Sequence, residues 1–213
     1  GDMKQTTSFN LPLWLRGALL FAMLQVFLFG LGFLVKFTRG QARPGLGEAI
    51  IGSEQNDDYY NQFQQPIFAP PDWVFAPVWT VNNTLAAWGI IRVQNMPPGT
   101  PGRDRFLAVQ AAFVVLFVNF NAAYFGLNSP INGALLTVPS LIMVTEAMRI
   151  AVFELKDWRV VLSLSTLFPW LILASLTSVI VALWNRDDFY QTPMLAKPPR
   201  ALVKQPTATH TDA

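Results

Sequence analysis

Five stretches of this chain, 11–37, 73–93, 105–126, 130–154 and 160–184, are long, apolar and almost free of charge, and short proline- and glycine-containing links separate most of them. A helix rises 1.5 Å per residue, so about 20 apolar residues cross a hydrocarbon layer of roughly 30 Å. Water cannot complete the hydrogen bonds of a backbone in hydrocarbon, which leaves helices as the natural way for such stretches to span it. The composition agrees, with 52% hydrophobic and only 13% charged residues. The predicted fold class is an all-α integral membrane protein, multi-pass, built as a five-transmembrane-helix bundle over residues 11–185. Residues 1–10 are expected to be a flexible N-terminus, 38–72 a long loop and 186–213 a polar tail with no packed domain. A cleaved signal peptide is the alternative for the first stretch. Its apolar part is longer than a typical signal core and no small-x-small site follows, so it is expected to be a retained helix.

The chemistry available to this chain is narrow. A net charge of +2, scattered between apolar segments, gives no nucleic-acid stripe. With no cysteine, thiolate metal sites and cysteine nucleophiles are excluded, and the sole histidine, His210, lies in the tail. Ser163, Ser165 and Ser175 therefore lack a histidine base nearby, and neither a P-loop nor a dinucleotide fingerprint occurs. No catalytic residue, metal or certain cofactor is expected, and the chain is not read as an enzyme.

Polar residues within apolar stretches are the informative ones. Asn82 and Asn83 in the second, with Asn119 and Asn121 in the third, are expected to face the bundle interior, as interhelical links or as the polar edge of a ligand site. Glu146 and Arg149, three apart in the fourth, are placed to pair on one helix face, as a buried charge site or by snorkelling of Arg149 to the interface. Lys4, Arg16, Arg92, Arg103, Arg105, Arg149, Lys156 and Arg159 gather on one face, which the positive-inside rule makes cytoplasmic together with the N-terminus. In the long loop, Glu54, Asp57, Asp58, Tyr59, Tyr60 and Phe63 form either a partner surface or a solvated flap.

The most specific stretch is Gln65 to Gly89, QPIFAPPDWVFAPVWTVNNTLAAWG. Pro66, Pro70 and Pro71 stiffen an extended approach, Asp72 is placed to cap a helix, and Pro77 falls early enough in it to cost little. The pattern Pro66-x-x-x-Pro70-Pro71-x-Trp73-Val74-Phe75-x-Pro77-Val78-Trp79-Thr80 resembles the signature of the TspO/MBR family, tryptophan-rich sensory proteins that include the mitochondrial translocator protein (peripheral benzodiazepine receptor). Leu167 to Asn185 is similar to the family's last helix. The resemblance implies a five-helix, often dimeric bundle with a pocket beneath the first loop for porphyrins, sterols or related hydrophobic ligands, and an association with tetrapyrrole handling, stress response and photosynthesis. On this basis the ligand-binding candidates are Phe68, Trp73, Phe75, Trp79, Asn82, Asn83, Asn119, Asn121 and Trp170, and the ligand a porphyrin or other tetrapyrrole, or a lipid.

Several positions depart from the family pattern. Phe68 replaces the loop Trp, Gln65 a basic residue, Asn82-Asn83 a Leu-Tyr pair, and Leu173 a Trp. Each lost indole removes stacking area for a flat macrocycle. Porphyrin degradation, associated in the family with the loop Trp, is accordingly not expected. The resemblance leads to a sensor or carrier of a hydrophobic ligand in a bacterial inner or intracytoplasmic membrane. The alternative is an accessory subunit of a larger membrane complex, including a photosynthetic one. Expected partners are membrane lipids and either a second copy or such a complex, reached through the 38–72 loop and the tail.

Overall fold

The computed structural model describes residues 59–204. The predicted first span, the early part of the long loop with Glu54, Asp57 and Asp58, and His210 lie outside the described residues. Within them the chain is helical, without strands and with two isolated bridges. The helices are α1 (Phe75–Gln94), α2 (Arg103–Phe120), α3 (Pro130–Ile150), α4 (Trp158–Leu164) and α5 (Leu167–Trp184).

Among the described residues three helical stretches are long and apolar enough to cross a membrane: Arg103–Gly126, Pro130–Leu155 and Trp158–Trp184. They match the third, fourth and fifth predicted spans. The second, now α1, packs with them but is not one of these three, Thr80, Asn82, Asn83 and Thr84 interrupting its apolar run. Its start also differs from expectation. Asp72 opens a single 3-10 turn, Asp72–Val74, and its carboxylate accepts from the Trp73 N–H (2.7 Å) and Asn61 Nδ2 (2.7 Å) without capping α1 itself.

Proline explains the break in the last span. Lacking an N–H, Pro169 cannot bond the carbonyl four residues earlier, and its ring crowds that carbonyl, at Ser165. The helix accordingly stops at Leu164 and restarts at Leu167, with a tight Ser165 N–H to Leu162 bond at the join (3.1 Å). Pro139 acts more gently, since α3 runs unbroken through it. Two helices widen into a π turn at their C-terminal ends, Asn121–Gly126 after α2 and Ala151–Leu155 after α3. After the first, Asn128 adopts a left-handed conformation (φ 52°) and Ser129 caps α3 by accepting from the Asn132 N–H, with Pro130 at the first helical position.

Packing follows side-chain size. Helix α3 is central, lying against α2 on one side and α5 on the other, while α1 lies against α4 and, less extensively, α2. Val93, Phe106, Val144, Ala147, Ile150, Val160 and Leu164 are completely buried and form the core at the end bearing the 95–102 and 156–157 links. A close helix approach is at Gly89 of α1. A Cβ built there would fall 2.7 Å from the Ser163 Cβ of α4, so only glycine lets these backbones meet.

The same end carries a closed ring of charge. Arg105 bridges Glu146 and Glu154 (both 2.8 Å), and Arg149 bridges the same two carboxylates (2.7 and 2.8 Å). Arg105 lies in the first turn of α2, so Glu146 pairs near the end of the bundle and not at mid-membrane. Glu146 and Arg149 do pair on one helix face, and Arg105 and Glu154 join them at the end of the bundle. Nearby, Arg92 pairs with Asp157 (2.7 Å), which also caps α4 by accepting from the Arg159 N–H. Burial alone would raise the Asp157 carboxyl. The Arg92 hydrogen bond and charge, with the N–H groups of Arg159 and Val160, outweigh it and hold that carboxyl below its usual range.

Replacing Gly89 with Ala is expected to lower stability by about 1–3 kcal/mol through overpacking, read from unfolding in mixed micelles. Ser163→Gly in the same chain should recover most of the loss. An unchanged midpoint for Gly89→Ala would contradict the contact.

Candidate functional site

Because α4 packs on α1 while α5 turns toward α3, the break at Ser165 and Thr166 opens a cleft between α1 and α5. It has a volume of about 600 Å³ and is lined by Pro77, Val78, Val81 and Asn82 of α1, by Ser165 and Thr166, and by Pro169, Trp170 and Leu173 of α5. Among the described residues the lining contains no charged side chain. This size and largely apolar character lie within the range of small-molecule sites.

Behind the cleft stands a relay of aromatic rings. Tyr60 meets Phe75 edge-on at 5.0 Å, Phe75 meets Trp170 at 5.6 Å, and Trp170 meets Trp79 at 6.4 Å. Trp79 continues onto Phe117 at 4.6 Å. These are favourable edge-to-face or tilted separations, and they fix the indole of Trp170 as a rigid wall.

Two polar groups of the lining are unsatisfied. Asn82 is 1% exposed, and neither its amide oxygen nor its amide nitrogen has a hydrogen-bond partner. Trp170, 9% exposed, has an unpartnered indole N–H. Gln110 of α2, buried and likewise unpartnered, was missed by the sequence reading although it is an amide among apolar neighbours of the kind that drew attention to Asn82.

The nine predicted ligand residues are not brought together. Asn82 and Trp170 line the cleft, and Phe75 and Trp79 support it through Trp170. Asn83 is half-buried on α1 outside the lining. Phe68 and Trp73 are exposed on the loop side, Trp73 at 72%. Asn119 donates to the Val115 carbonyl of its own helix (2.7 Å), and Asn121 is exposed in the π turn. The reason is helical phase. Asn119 and Asn121 share a span with the core residues Gln110, Phe113 and Val118 but lie on other faces.

Above the α1 and α5 termini the loop and tail clasp each other. The sequence reading leaves 186 onward unpacked, but the structure folds 186–204 back. Ile67 N–H donates to the Leu202 carbonyl (2.9 Å) and Lys204 N–H to the Gln65 carbonyl (2.8 Å). Asn185 exchanges two bonds with the Gln64 backbone (2.9 and 3.0 Å). Completely buried Asp187 accepts from Ser129 Oγ (2.7 Å), Ile131 N–H (3.0 Å) and Tyr190 N–H (2.9 Å). In the loop, Tyr60 donates its hydroxyl to the Pro70 carbonyl (2.8 Å), and Gln65 donates to the Tyr60 carbonyl (2.7 Å). Burial, with Asp72 adding, pushes the Tyr60 phenol up, so it stays a donor.

The Pro-Pro-x-Trp turn, the α1 helix it opens and a proline-broken last span form the geometry against which relatives can be compared. The TspO/MBR family profile matches residues 42–184, more than half of the chain. The chain belongs to the TspO/MBR family. It is similar to the tryptophan-rich protein TspO of Chlorobaculum tepidum, with 30% identity over 77 residues, a region covering 35% of this chain. The match spans about half, 48%, of that relative's length. As a TspO/MBR member with three spanning-length helices among its described residues, the protein is a membrane protein.

Asp187→Ala leaves three donors without their charged acceptor, which typically costs about 1.5–3 kcal/mol per bond to a charged group. The expected result is faster limited proteolysis within 188–204, with cleavage of the helical region unchanged. Equal tail cleavage in both proteins would contradict the docking.

Proposed function

We propose that this TspO/MBR protein is a sensor or carrier that binds a hydrophobic ligand, a tetrapyrrole or a lipid, in the cleft between α1 and α5, with the predicted 11–37 segment completing a five-span bundle. One observation carries the reading: an apolar cleft of about 600 Å³ whose lining also contains buried, unpartnered hydrogen-bonding groups. Family membership supports a sensing or binding role. The relay from Tyr60 to Trp170 offers a physical link from cleft to loop, since an occupant pressing on Trp170 also presses on Phe75 and Tyr60.

The test is a fluorescence titration of the full chain in nanodiscs with a neutral porphyrin, mesoporphyrin IX dimethyl ester, corrected with empty discs. Saturable quenching is expected. Val81→Trp, which fills the cleft, should weaken it about tenfold or more, equivalent to about 1.4 kcal/mol. Leu135→Trp on the exposed face of α3 should leave it unchanged. Absence of saturable quenching, or equal effects of the two variants, would count against the reading.

A second reading is favoured by the loop and tail, where Ile67, Phe68, Trp73 and Leu202 are exposed together around the clasp. Aromatic and aliphatic side chains presented this way suit a partner surface, in keeping with an accessory subunit of a larger membrane complex. Purification in mild detergent followed by mass spectrometry separates the readings, since a stoichiometric companion supports the second and migration as a monomer or homodimer alone removes it.

A further inference from the structure

Spans in a bilayer rarely leave a buried amide unpaired, because hydrocarbon supplies no substitute for the missing hydrogen bond. This protein meets that requirement where it can. Asn119 donates to Val115, and Asn132 donates to the Ala123 carbonyl (3.1 Å) while accepting from the Tyr190 hydroxyl (2.9 Å). Asn82 does not, at either amide atom, and the indole N–H of Trp170 is in the same condition on the facing wall of one cleft. Gln110 is also unpaired but does not line the cleft.

The complement of these groups is specific. The Trp170 N–H and the Asn82 amide N–H groups require acceptors, and the Asn82 amide oxygen accepts a weakly acidic hydrogen. Apart from the hydroxyls of Ser165 and Thr166 at the helix break, the other described lining residues, Pro77, Val78, Val81, Pro169 and Leu173, require an apolar body. Among the described residues no lysine, arginine or histidine lines the cleft, and against that lining an ionised carboxylate is desolvated without a counter-charge, which is far more costly than burying a neutral carbonyl that is hydrogen-bonded.

We propose that the cleft selects neutral ligands with a carbonyl-bearing edge, an ester, amide or ketone, held by Asn82 and the Trp170 indole N–H, and discriminates against ionised carboxylates. This inference rests on the reading that the cleft is a hydrophobic-ligand site. It narrows that reading to a chemical class: the ester or amide of an acidic pigment or lipid, and not the free acid.

Three porphyrins of nearly equal shape separate the possibilities at pH 8: etioporphyrin, neutral and without carbonyls; mesoporphyrin IX dimethyl ester, neutral with carbonyls; and mesoporphyrin IX, doubly ionised. Each is titrated by tryptophan quenching against the full chain in nanodiscs of uncharged lipid. The dimethyl ester is expected to bind about tenfold more tightly than either of the others, the scale of one or two well-made buried hydrogen bonds. Asn82→Leu should bring the ester down to the etioporphyrin level while raising the unfolding temperature of the ligand-free protein, because it removes two orphaned polar atoms. Trp170→Phe, which keeps a ring in the relay but removes the N–H, should lower ester affinity and leave etioporphyrin affinity unchanged. Equal binding of all three with no response to either variant, or tightest binding of the diacid, overturns the inference and leaves the cleft a ligand site. No saturable binding by any of the three overturns the inference and the reading beneath it together.

Discussion

Backbone groups inside hydrocarbon have no water to turn to, and the described structure is shaped by how its prolines, glycines and amides meet that constraint. Pro169 withholds one hydrogen bond and thereby divides the last span at Ser165 and Thr166. The two pieces then follow different neighbours, α4 held to α1 through the Gly89 and Ser163 approach, α5 held to α3. A cleft opens where they part. The site thus follows from one missing N–H and one missing side chain, with no long lid or inserted domain needed to build it.

The two ends of the bundle are held by different physics. At the end with the short links, alternating charges close a ring through Arg105, Glu146, Arg149 and Glu154, above a fully buried, mainly aliphatic core. Exposed ion pairs contribute little singly, so that core does more to hold the helices than the ring does. At the opposite end, packing is aromatic and the links are hydrogen bonds between loop and tail, centred on Asp187, Asn185 and the Gln65 backbone. The cleft lies toward this second end, where a ligand can shift rings without disturbing the aliphatic core.

Much of this was legible in the chain. Apolar length and the Pro/Gly links marked α2, α3 and the α4–α5 pair, and the Pro-Pro-x-Trp pattern identified the family before any geometry. The candidate site was legible only in part. Asn82 was picked out by chemistry and Trp170 by the family resemblance, but helical phase decides which amides meet, and phase was blurred by the π turn at Asn121–Gly126 and by the break before Leu167. Phe68 and Trp73 drew attention through the family pattern, yet both are exposed. The docking of the tail through Asp187 left no periodic signal, because its partners at Ser129 and Ile131 lie far away in the chain.

The central claim is that the α1–α5 cleft is the ligand site, and the chain's lack of cysteine allows a direct test. Single variants Val81→Cys and Leu173→Cys place a thiol in the cleft, and Leu135→Cys places one on the outer face of α3. The measurement is the rate of alkylation of each thiol by a membrane-permeant maleimide, with and without saturating mesoporphyrin IX dimethyl ester. Slowing at Val81→Cys and Leu173→Cys, with no change at Leu135→Cys, is the result the account predicts. Ligand that saturates the protein while leaving the two cleft thiols as reactive as before would contradict it.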